Sequence, residues 1–261
     1  DYDPSTPAYE SFWQRETSRR KKGVFIKAKL YYKDIPKFFD ANTTDEERES
    51  LLQPLRITGA HYTYLNYGRI ERTPNDKERA RLKREGAEHV ETVMGFPRYW
   101  DGDYWNFKID EFIANNKFHL TKAKARRKGF SYKRGSQAAN TINLFPNVTV
   151  TLAADQLAYL TDKGATTFMA KKCLDHFEEH TFWKRGYISE AIDDILMGYR
   201  VSTKGLKNFG WLSNLYSVAI GKNESAAVGK KAIEIDFEEA GKCPNLQKAL
   251  DVTLSNTESG A

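Results

Sequence analysis

Apolar positions in the second half of the chain recur with periods that predict a series of helices and strands. After Ser189, four large apolar residues stand at the i, i+3, i+4 and i+7 spacing of a helix, namely Ile192, Ile195, Leu196 and Tyr199. Residues 206–220 are almost wholly apolar, and we expect them to form a helix at the centre of the core. The same patterns predict helices over 153–161 and 166–184.

Strand signals are shorter and lie in both halves. Residues 147–152 read as one strand, and alternating apolar and acidic residues over 233–237 predict another that is half-buried. In the first half, residues 24–32 alternate between apolar side chains and lysines, which again predicts a strand. A charged helix is expected to begin at Pro74 and to continue to Met94.

Together these elements predict an α+β fold with a predominantly helical C-terminal half and a few short strands in each half. The predicted regions are an extended basic arm over 1–22, an N-terminal α+β region over 23–118, a basic linker over 119–137, a mainly helical region over 138–240 and a loose tail over 241–261. The arm is expected because Pro4 and Pro7 disfavour regular structure. The tail is expected because it is rich in Ser, Thr, Asn and Gly.

Composition places the chain among folded proteins. It has 261 residues, of which 40% are hydrophobic and 29% charged. Two cysteines cannot make a disulfide framework, so a reducing compartment is expected. No apolar run approaches the roughly 20 residues of a membrane span, so no transmembrane segment is predicted. The chain begins at Asp1, which suits a cleaved organellar leader and favours the mitochondrial matrix, with the cytoplasm as the alternative.

Basic residues are the strongest functional signal in the sequence. The net charge is +6, and the cations concentrate in two blocks, one near residue 20 and one over 122–134. Cations neutralise phosphates and aromatic rings stack on unpaired bases, so these blocks predict contact with RNA, acidic protein or acidic lipid. The candidate contact residues are Arg19, Arg20, Lys21, Lys22, Lys122, Lys124, Arg126, Arg127, Lys128, Phe130, Tyr132, Lys133 and Arg134.

Acidic residues concentrate at the other end of the chain, so the charge is polarised. They include Asp175, Glu178, Glu179, Asp193, Asp194, Glu234, Asp236, Glu238 and Glu239. We expect this acidic end to face solvent or another subunit while the basic blocks face a polyanion.

The string His176-Phe177-Glu178-Glu179-His180 resembles the H-x-x-E-H signature of the inverzincin metallopeptidases, the pitrilysin group. The resemblance covers five residues and implies zinc on His176 and His180 with Glu179 as the general base. It also implies a distant carboxylate ligand, which the sequence does not single out. Cys173, with or without Cys243, offers a structural zinc set instead, and a core-facing helix stripe accounts for the same residues without any metal.

Other catalytic templates are absent from the sequence. It has no G-x-x-x-x-G-K-[ST], no G-x-G-x-x-G and no G-x-S-x-G, so no catalytic residue, metal or cofactor is predicted. Aromatic residues make up 13% of the chain, which suits an extensive contact surface. The sequence therefore favours a non-catalytic accessory subunit, with other protein subunits as expected partners and RNA as a further candidate.

A ribonucleoprotein such as a mitochondrial ribosome is the first candidate assembly, because both basic blocks would meet phosphate there. A peripheral subunit of a membrane-associated energy-converting complex, such as ATP synthase, is the alternative. A zinc metallopeptidase of inverzincin type is the second alternative.

Overall fold

A computed structural model describes residues 7–26, 44, 55–123, 129–180, 186–191, 193–202, 206–221, 223–227 and 232–258. The chain divides into two compact units. Unit 1 comprises Asp1–Asn66 and Arg98–Lys124, and unit 2 comprises Tyr67–Pro97 and Ala125–Ala261. Helices and strands are both abundant, which confirms the predicted α+β fold class. The boundaries of the five predicted regions stay predictions.

Unit 1 is built from helices and one small sheet. Its elements are α1 (Pro7–Lys22), β1 (Val24–Ile26), β2 (Leu55–Ile57), α2 (Gly59–Tyr67) and α4 (Asp101–Asn115). β1 and β2 pair antiparallel, with Phe25 opposite Arg56. The core is aromatic, because the His61 ring lies between Phe107, at a centroid distance of 4.8 Å, and Tyr99, at 5.5 Å.

Unit 2 begins with a short hairpin that encloses a charged helix. β3 (Ile70–Arg72) pairs antiparallel with β4 (Val93–Gly95), and α3 (Asp76–Arg84) lies between them in sequence. Asn75 accepts a hydrogen bond from the Glu78 amide while the Glu78 carboxylate accepts one from the Asn75 amide, which is a complete capping box. The helix begins at Asp76, two residues after the predicted start at Pro74, and ends at Arg84, ten residues before Met94.

The remainder of unit 2 is a mixed sheet with helices on both sides. Its elements are α5 (Phe130–Leu144), β5 (Thr149–Ala154), α6 (Ala158–Thr161), α7 (Thr166–His180), β6 (Tyr187–Ile188), β7 (Asp194–Ser202), β8 (Leu206–Ala219), β9 (Glu234–Phe237) and α8 (Leu246–Glu258). The strand order is β6-β7-β8-β5-β9. β5 runs parallel to both β8 and β9, while β6, β7 and β8 pair antiparallel in turn.

Alternation along β5 separates two core clusters, one on each face of the sheet. Val150 and Leu152 pack with side chains of α5 and α7, among them Ile142 and Phe177. Ala153 belongs to the opposite cluster, which includes Ile220, Cys243 and Ala249. Because successive strand residues point to opposite faces, β5 is buried from both sides and lies at the centre of unit 2.

Two predicted helices in the second half are wrong, since both segments are strands. Ile195 and Met197 are fully buried and stand two residues apart, which is the period of a strand. The apolar residues after Ser189 also fit a helical spacing, which is why a helix was predicted there. In β8, Ser213, Leu215 and Ser217 are buried in alternation, and Gly210 and Leu212 adopt positive φ. Pairing with neighbouring strands has overridden the local signal in both cases.

The two ends of the chain also differ from expectation. Residues 7–22 form α1 instead of an extended arm, because Pro7 stands at the first helical position, where its missing N–H costs nothing. Residues 246–258 form α8 where a loose tail was expected, with Ala249 and Thr253 buried. The helix predicted over 153–161 is the end of β5 followed by the short α6. By contrast, β9 and α7 lie close to their predicted places.

Candidate functional site

Three parallel strands end at one edge of the unit 2 sheet and bring polar residues together. Asp155 follows β5, Gly221 closely follows β8, and Glu238 follows β9. The Gly221 amide donates to the Asp155 carbonyl at 3.1 Å, and the Glu238 amide donates to the Ala153 carbonyl at 2.8 Å. In open α/β sheets, ligands bind outside the carboxyl ends of the strands, so this carboxyl edge is the first place to look for a site.

α5 begins near the same edge. Residues 145–148 alone connect the end of α5 to the start of β5, so the helix runs back along the strand and its N-terminus lies toward the strand's carboxyl end. Gly129 caps the helix in the left-handed conformation, with φ 68°, which glycine adopts without steric cost. The first amides of a helix lack intrahelical partners and carry partial positive charge, so they bind anions.

An acidic ladder, defined as Glu234, Asp236 and Glu238, runs along one face of β9. Glu234 is in register with Val150 and Asp236 with Leu152, so the ladder faces the side of the sheet that α5 and α7 cover. The ladder therefore does not face solvent alone, although Glu234 and Asp236 remain about one third exposed. Its carboxylates point toward the helices of their own unit.

Two side chains from the covering helices bind the ladder. The guanidinium of Arg134, from the second turn of α5, lies 3.0 Å from the Glu234 carboxylate and forms a second ion pair with Asp236. The Thr166 hydroxyl, at the start of α7, donates to the Glu238 carboxylate at 2.7 Å. The Arg134 side chain is 14% exposed, whereas those of Glu234 and Asp236 are 35% and 29% exposed, so the ion pairs are only partly shielded from water.

Burial dominates the electrostatics of the ladder. It raises the pKa of Asp236 to about 7, with Glu234 and Glu238 acting in the same direction and Arg134 opposing them. Although burial disfavours the charged guanidinium, Asp236 and Glu234 together raise the pKa of Arg134. The positive charge of Arg134 is thus the one that opposes the rise in the pKa of Asp236 that burial and the two neighbouring carboxylates cause.

Glu239 is the residue with the most unusual backbone at this edge. It has φ 52°, in the left-handed region, directly before a short 3₁₀ turn at Ala240–Lys242. Its carboxylate lies 3.3 Å from the Lys242 ammonium. A non-glycine residue in this conformation costs of order 1 kcal/mol or more, and such strain concentrates at functional sites.

The basic block over 122–134 is divided by the structure. Lys124, Arg126, Arg127 and Lys128 lie outside the described residues. Lys122 donates to Asn106 at 2.9 Å and pairs with Asp110, both within unit 1. In α5, the buried Lys133 ammonium lies 4.5 Å from the centroid of the Phe130 ring, and Tyr132 is half-buried.

The N-terminal basic block lies at the end of α1. Arg19 is about half-exposed and 3.8 Å from Glu16, and Lys21 and Lys22 are exposed. Arg20 is 1% exposed, so in this conformation its side chain belongs to the interior of unit 1. The predicted polyanion contact of both blocks stays a prediction, and Arg20 and Arg134 are the two members whose side chains are most clearly engaged within their own unit.

The histidine motif of α7 lies beside a cation. His176 is buried, with Nδ1 3.2 Å from Arg69 Nη2 and its ring against the edge of Phe96. A guanidinium so close to the imidazole opposes binding of a second cation to the same ring. The side chains of Glu179 and His180 lie outside the described residues.

The other candidate metal ligands in the described part of the chain are not arranged around a common position either. Cys173 and Cys243 belong to the two different core clusters, on opposite faces of the sheet, so they do not share a site. No group of three or more His, Cys, Asp or Glu side chains is arranged around a common metal position among the residues that the structure describes.

Sequence reasoning missed the residues that meet at the carboxyl edge. Asp155 and Thr166 were not singled out, and Glu238 and Glu239 were counted only as part of an acidic end. A signal was available, since an alternating strand that runs directly into two glutamates places carboxylates at a strand end. Its significance depends on α5 and α7, which lie some 70 to 100 residues earlier in the chain.

None of the helices in the described ranges combines the length and the apolar character that crossing a bilayer requires.

Comparison with protein-family models, with curated proteins and with solved structures finds no match for this chain.

Proposed function

We propose that unit 2 binds the phosphate chain of a nucleoside triphosphate, together with Mg²⁺, at the carboxyl edge of its sheet and hydrolyses it. The observation that carries the proposal is that Arg134, in the second turn of α5, and Thr166, at the start of α7, both contact carboxylates on β9 or directly after it, where parallel strands end. An anion-binding helix end and a pair of carboxylates are the two components that phosphoryl transfer requires.

Phosphate binding is supported by the sequence that leads into α5. Four cations precede Gly129 directly, namely Lys124, Arg126, Arg127 and Lys128, and Ser131 follows it within the first helical turn. Phosphate-binding loops use the same components, a basic residue, a glycine and a hydroxyl at a helix N-terminus. The order differs from G-K-[ST], because here the lysines come before the glycine and Phe130 occupies the usual lysine position.

The donor chemistry of the edge fits Mg²⁺. Magnesium is held in such sites by one or two carboxylates, hydroxyls and the phosphate oxygens of the substrate, and it neutralises charge on the phosphates. Glu238 and Ser131 are the residues that would hold it. Thr166 keeps the Glu238 carboxylate oriented, since its hydroxyl donates to one carboxylate oxygen at 2.7 Å.

Glu239 is the residue that we assign to the attacking water. Water forms a bond to the γ-phosphorus, the bond from that phosphorus to the β–γ bridging oxygen breaks, and the Glu239 carboxylate accepts the proton. The products are a nucleoside diphosphate and inorganic phosphate. Glu239 has a left-handed backbone conformation, and its exposed carboxylate pairs with Lys242.

Purified protein with and without Mg²⁺ provides the test. Wild type is expected to bind a fluorescent ATP analogue in a Mg²⁺-dependent manner and to release phosphate from ATP. Glu239→Gln is expected to retain binding and to lose about 10²- to 10⁴-fold in kcat, because the proton acceptor is removed. Glu190→Gln, which alters an exposed glutamate paired with Arg200, is the matched control and should behave as wild type. Wild type that neither binds nor hydrolyses any nucleoside triphosphate contradicts the proposal.

Membership of a large assembly is a second candidate function, and the surface of unit 1 favours it. Trp100, Trp105, Phe112 and Phe118 are all more than half exposed. Clustered exposed aromatic residues are typical of protein interfaces. We retain the accessory-subunit hypothesis, with a ribonucleoprotein as the first partner class and the mitochondrial matrix as the expected location.

Co-purification from the native source tests this second candidate. A partner that survives nuclease treatment and is lost in a Trp105→Ser variant supports protein contact through unit 1. A partner that is removed by nuclease and by moderate salt supports RNA instead. A monomer that carries no partner under either condition contradicts the assembly role.

A further inference from the structure

An apolar stripe runs along the outer face of α4 in unit 1. Trp105, Ile109 and Phe112 stand at the i, i+4 and i+7 positions of this helix, and their side chains are 62%, 45% and 59% exposed. Asn106 and Phe107 are the buried residues of the same helix. The helix therefore packs on unit 1 through one face and exposes a second face that is apolar, which is typical of a contact surface.

Aromatic pairs mark both ends of the stripe. Tyr104 packs edge-on against Trp105 with ring centroids 5.3 Å apart, and the ring of Phe118 lies 6.2 Å from that of Phe112. Two helical turns, or about 10 Å, separate Trp105 from Phe112. The stripe thus carries an aromatic group at each end and Ile109 between them, so a second copy that runs in the opposite direction presents matching groups.

Charge distinguishes the two ends of α4. Asp101 is the first residue of the helix and stands one turn before Trp105, while Lys117 lies two residues beyond its last residue. Both are exposed, and neither is paired with another side chain among the residues that the structure describes. Two parallel copies would bring like charges together, whereas two antiparallel copies bring Asp101 to Lys117 twice and also oppose the helix dipoles favourably.

We propose that two copies of this chain associate through α4, with the two helices antiparallel. Trp105 of each copy packs against Phe112 of the other, and Asp101 of each copy faces Lys117 of the other. The inference is independent of the proposed hydrolysis in unit 2, and it names a second copy of the chain as the partner of the aromatic surface of unit 1.

The exposed area is sufficient for a weak dimer. Each of the four side chains in the contact, Trp105, Ile109, Phe112 and Phe118, is about half exposed, and together they offer on the order of 500 Å² in each copy. The pair then buries about 1,000 Å², which is at the low end for a specific interface. A Kd on the order of 10 µM is expected, so each copy stays folded as a monomer when it is diluted.

Sedimentation velocity of the purified full chain tests the association. Wild type is expected to pass from monomer to dimer between about 1 and 200 µM. Trp105→Ser and Phe112→Ser should each raise the dimer Kd at least about 10-fold, because each change removes an aromatic residue at two symmetry-related places. Phe25→Ser is the control, since it removes an aromatic residue of unit 1 that is 72% exposed and lies outside α4, and it should leave the Kd unchanged.

Charge reversal tests the antiparallel arrangement. Asp101→Lys and Lys117→Asp are each expected to raise the Kd about 10-fold at low salt, because like charges then meet twice in the symmetric pair. An equimolar mixture of these two variants is expected to form a mixed dimer with a Kd near that of wild type, since opposite charges meet again at both ends. Native mass spectrometry identifies the mixed species when the two chains differ in isotope content.

The outcomes separate this inference from its alternatives. A wild type that stays monomeric up to about 200 µM, or a dimer that survives both aromatic substitutions, overturns it. A mixture of the charge variants that does not dimerise overturns the antiparallel arrangement. A monomer that binds vesicles of phosphatidylserine and phosphatidylcholine, and loses this binding in Trp105→Ser, assigns the stripe to a lipid surface instead. None of these results changes ATP hydrolysis by unit 2, which is measured separately.

Discussion

Unit 1 and unit 2 differ in what they expose and in how their charged groups are paired. Unit 1 buries His61 in an aromatic stack, buries Arg20 as well, and exposes Trp100 and Trp105. Unit 2 buries many polar side chains beside its apolar clusters and pairs the carboxylates of β9 and of the residue after it with side chains of α5 and α7. Paired polar groups at a sheet edge are typical of reaction sites, and exposed aromatic residues are typical of contact surfaces. The difference agrees with the proposals that place chemistry in unit 2 and adhesion in unit 1.

Shortening a buried side chain in each unit is expected to have the largest effect on the free energy of unfolding. The two losses compare how tightly the two cores are packed. Phe107 is 1% exposed and stacked on His61, and Leu152 is fully buried in the middle of β5. Phe107→Ala is expected to lower the unfolding free energy by about 3–5 kcal/mol and Leu152→Ala by about 2–5 kcal/mol. Urea denaturation measures both. A loss below about 1 kcal/mol for Phe107→Ala would show that the aromatic stack of unit 1 is not a packed core.

One glycine at a tight backbone contact in each unit allows a second comparison of the two units. A Cβ on Gly59 would lie 2.2 Å from the Arg20 carbonyl oxygen in unit 1, and a Cβ on Gly135 would lie 2.6 Å from the Thr166 carbonyl oxygen in unit 2. Alanine at either site is expected to cost about 1–3 kcal/mol of stability, because backbones must move apart. Of the two variants, Gly135→Ala is expected to lower kcat for ATP hydrolysis as well. Equal losses of kcat in both would contradict the assignment of chemistry to unit 2.

The acidic ladder predicts a pH dependence of stability that belongs to unit 2. Burial raises the pKa of Asp236 to about 7, against about 3.9 in an unfolded chain, with Arg134, Glu234 and Glu238 as the charged groups that face it. The folded state then holds more protons than the unfolded state between these values, so this residue's contribution to stability is lost as pH rises from about 4 to 7.

Asp236→Asn removes this titration. The unfolding free energy of wild type is expected to fall relative to that of the variant as pH is raised across this window, as measured by urea denaturation at several pH values. Parallel pH profiles for the two proteins would show that Asp236 does not titrate there.

Surface aromatic residues of unit 1 give the smallest expected effect on stability. Trp105→Ser and Phe112→Ser are expected to change the unfolding free energy by no more than about 0.5 kcal/mol, since both side chains are more than half exposed. Loss of a co-purifying partner in the same variants would support the adhesive role. Strong destabilisation would instead mean that these side chains already pack on the protein itself.

The sequence predicted part of this fold for reasons that lie in local pattern. α7 and β9 were located because their apolar periods are long or strictly alternating, and α3 because a proline marks its start. β7 and β8 were mistaken for helices because short apolar runs suit either structure, and their strand partners come from distant parts of the chain.

Of the candidate site, the sequence predicted only the basic residues that precede α5. The cations that precede α5 were recognised as an anion-binding feature, but nothing local to Glu238 indicates that Arg134 and Thr166 lie beside it. Arg134 was itself counted among external contact residues, because a sequence does not distinguish an arginine that binds a ligand from one that binds its own sheet. Long-range pairing of charges is the information that folding adds.

The inward direction of the acidic ladder also bears on solubility. β9 stands at the end of the strand order, so it is an edge strand in the described part of the sheet. Edge strands have unpaired backbone groups with which a strand of another polypeptide can pair. The strand has four residues and carries carboxylates on its inner side. Short edge strands with inward-pointing charges are poor templates for such additions, because an incoming strand gains few hydrogen bonds and meets negative charge in place of apolar surface. The side chains that orient Glu238 thereby also protect the sheet from self-association.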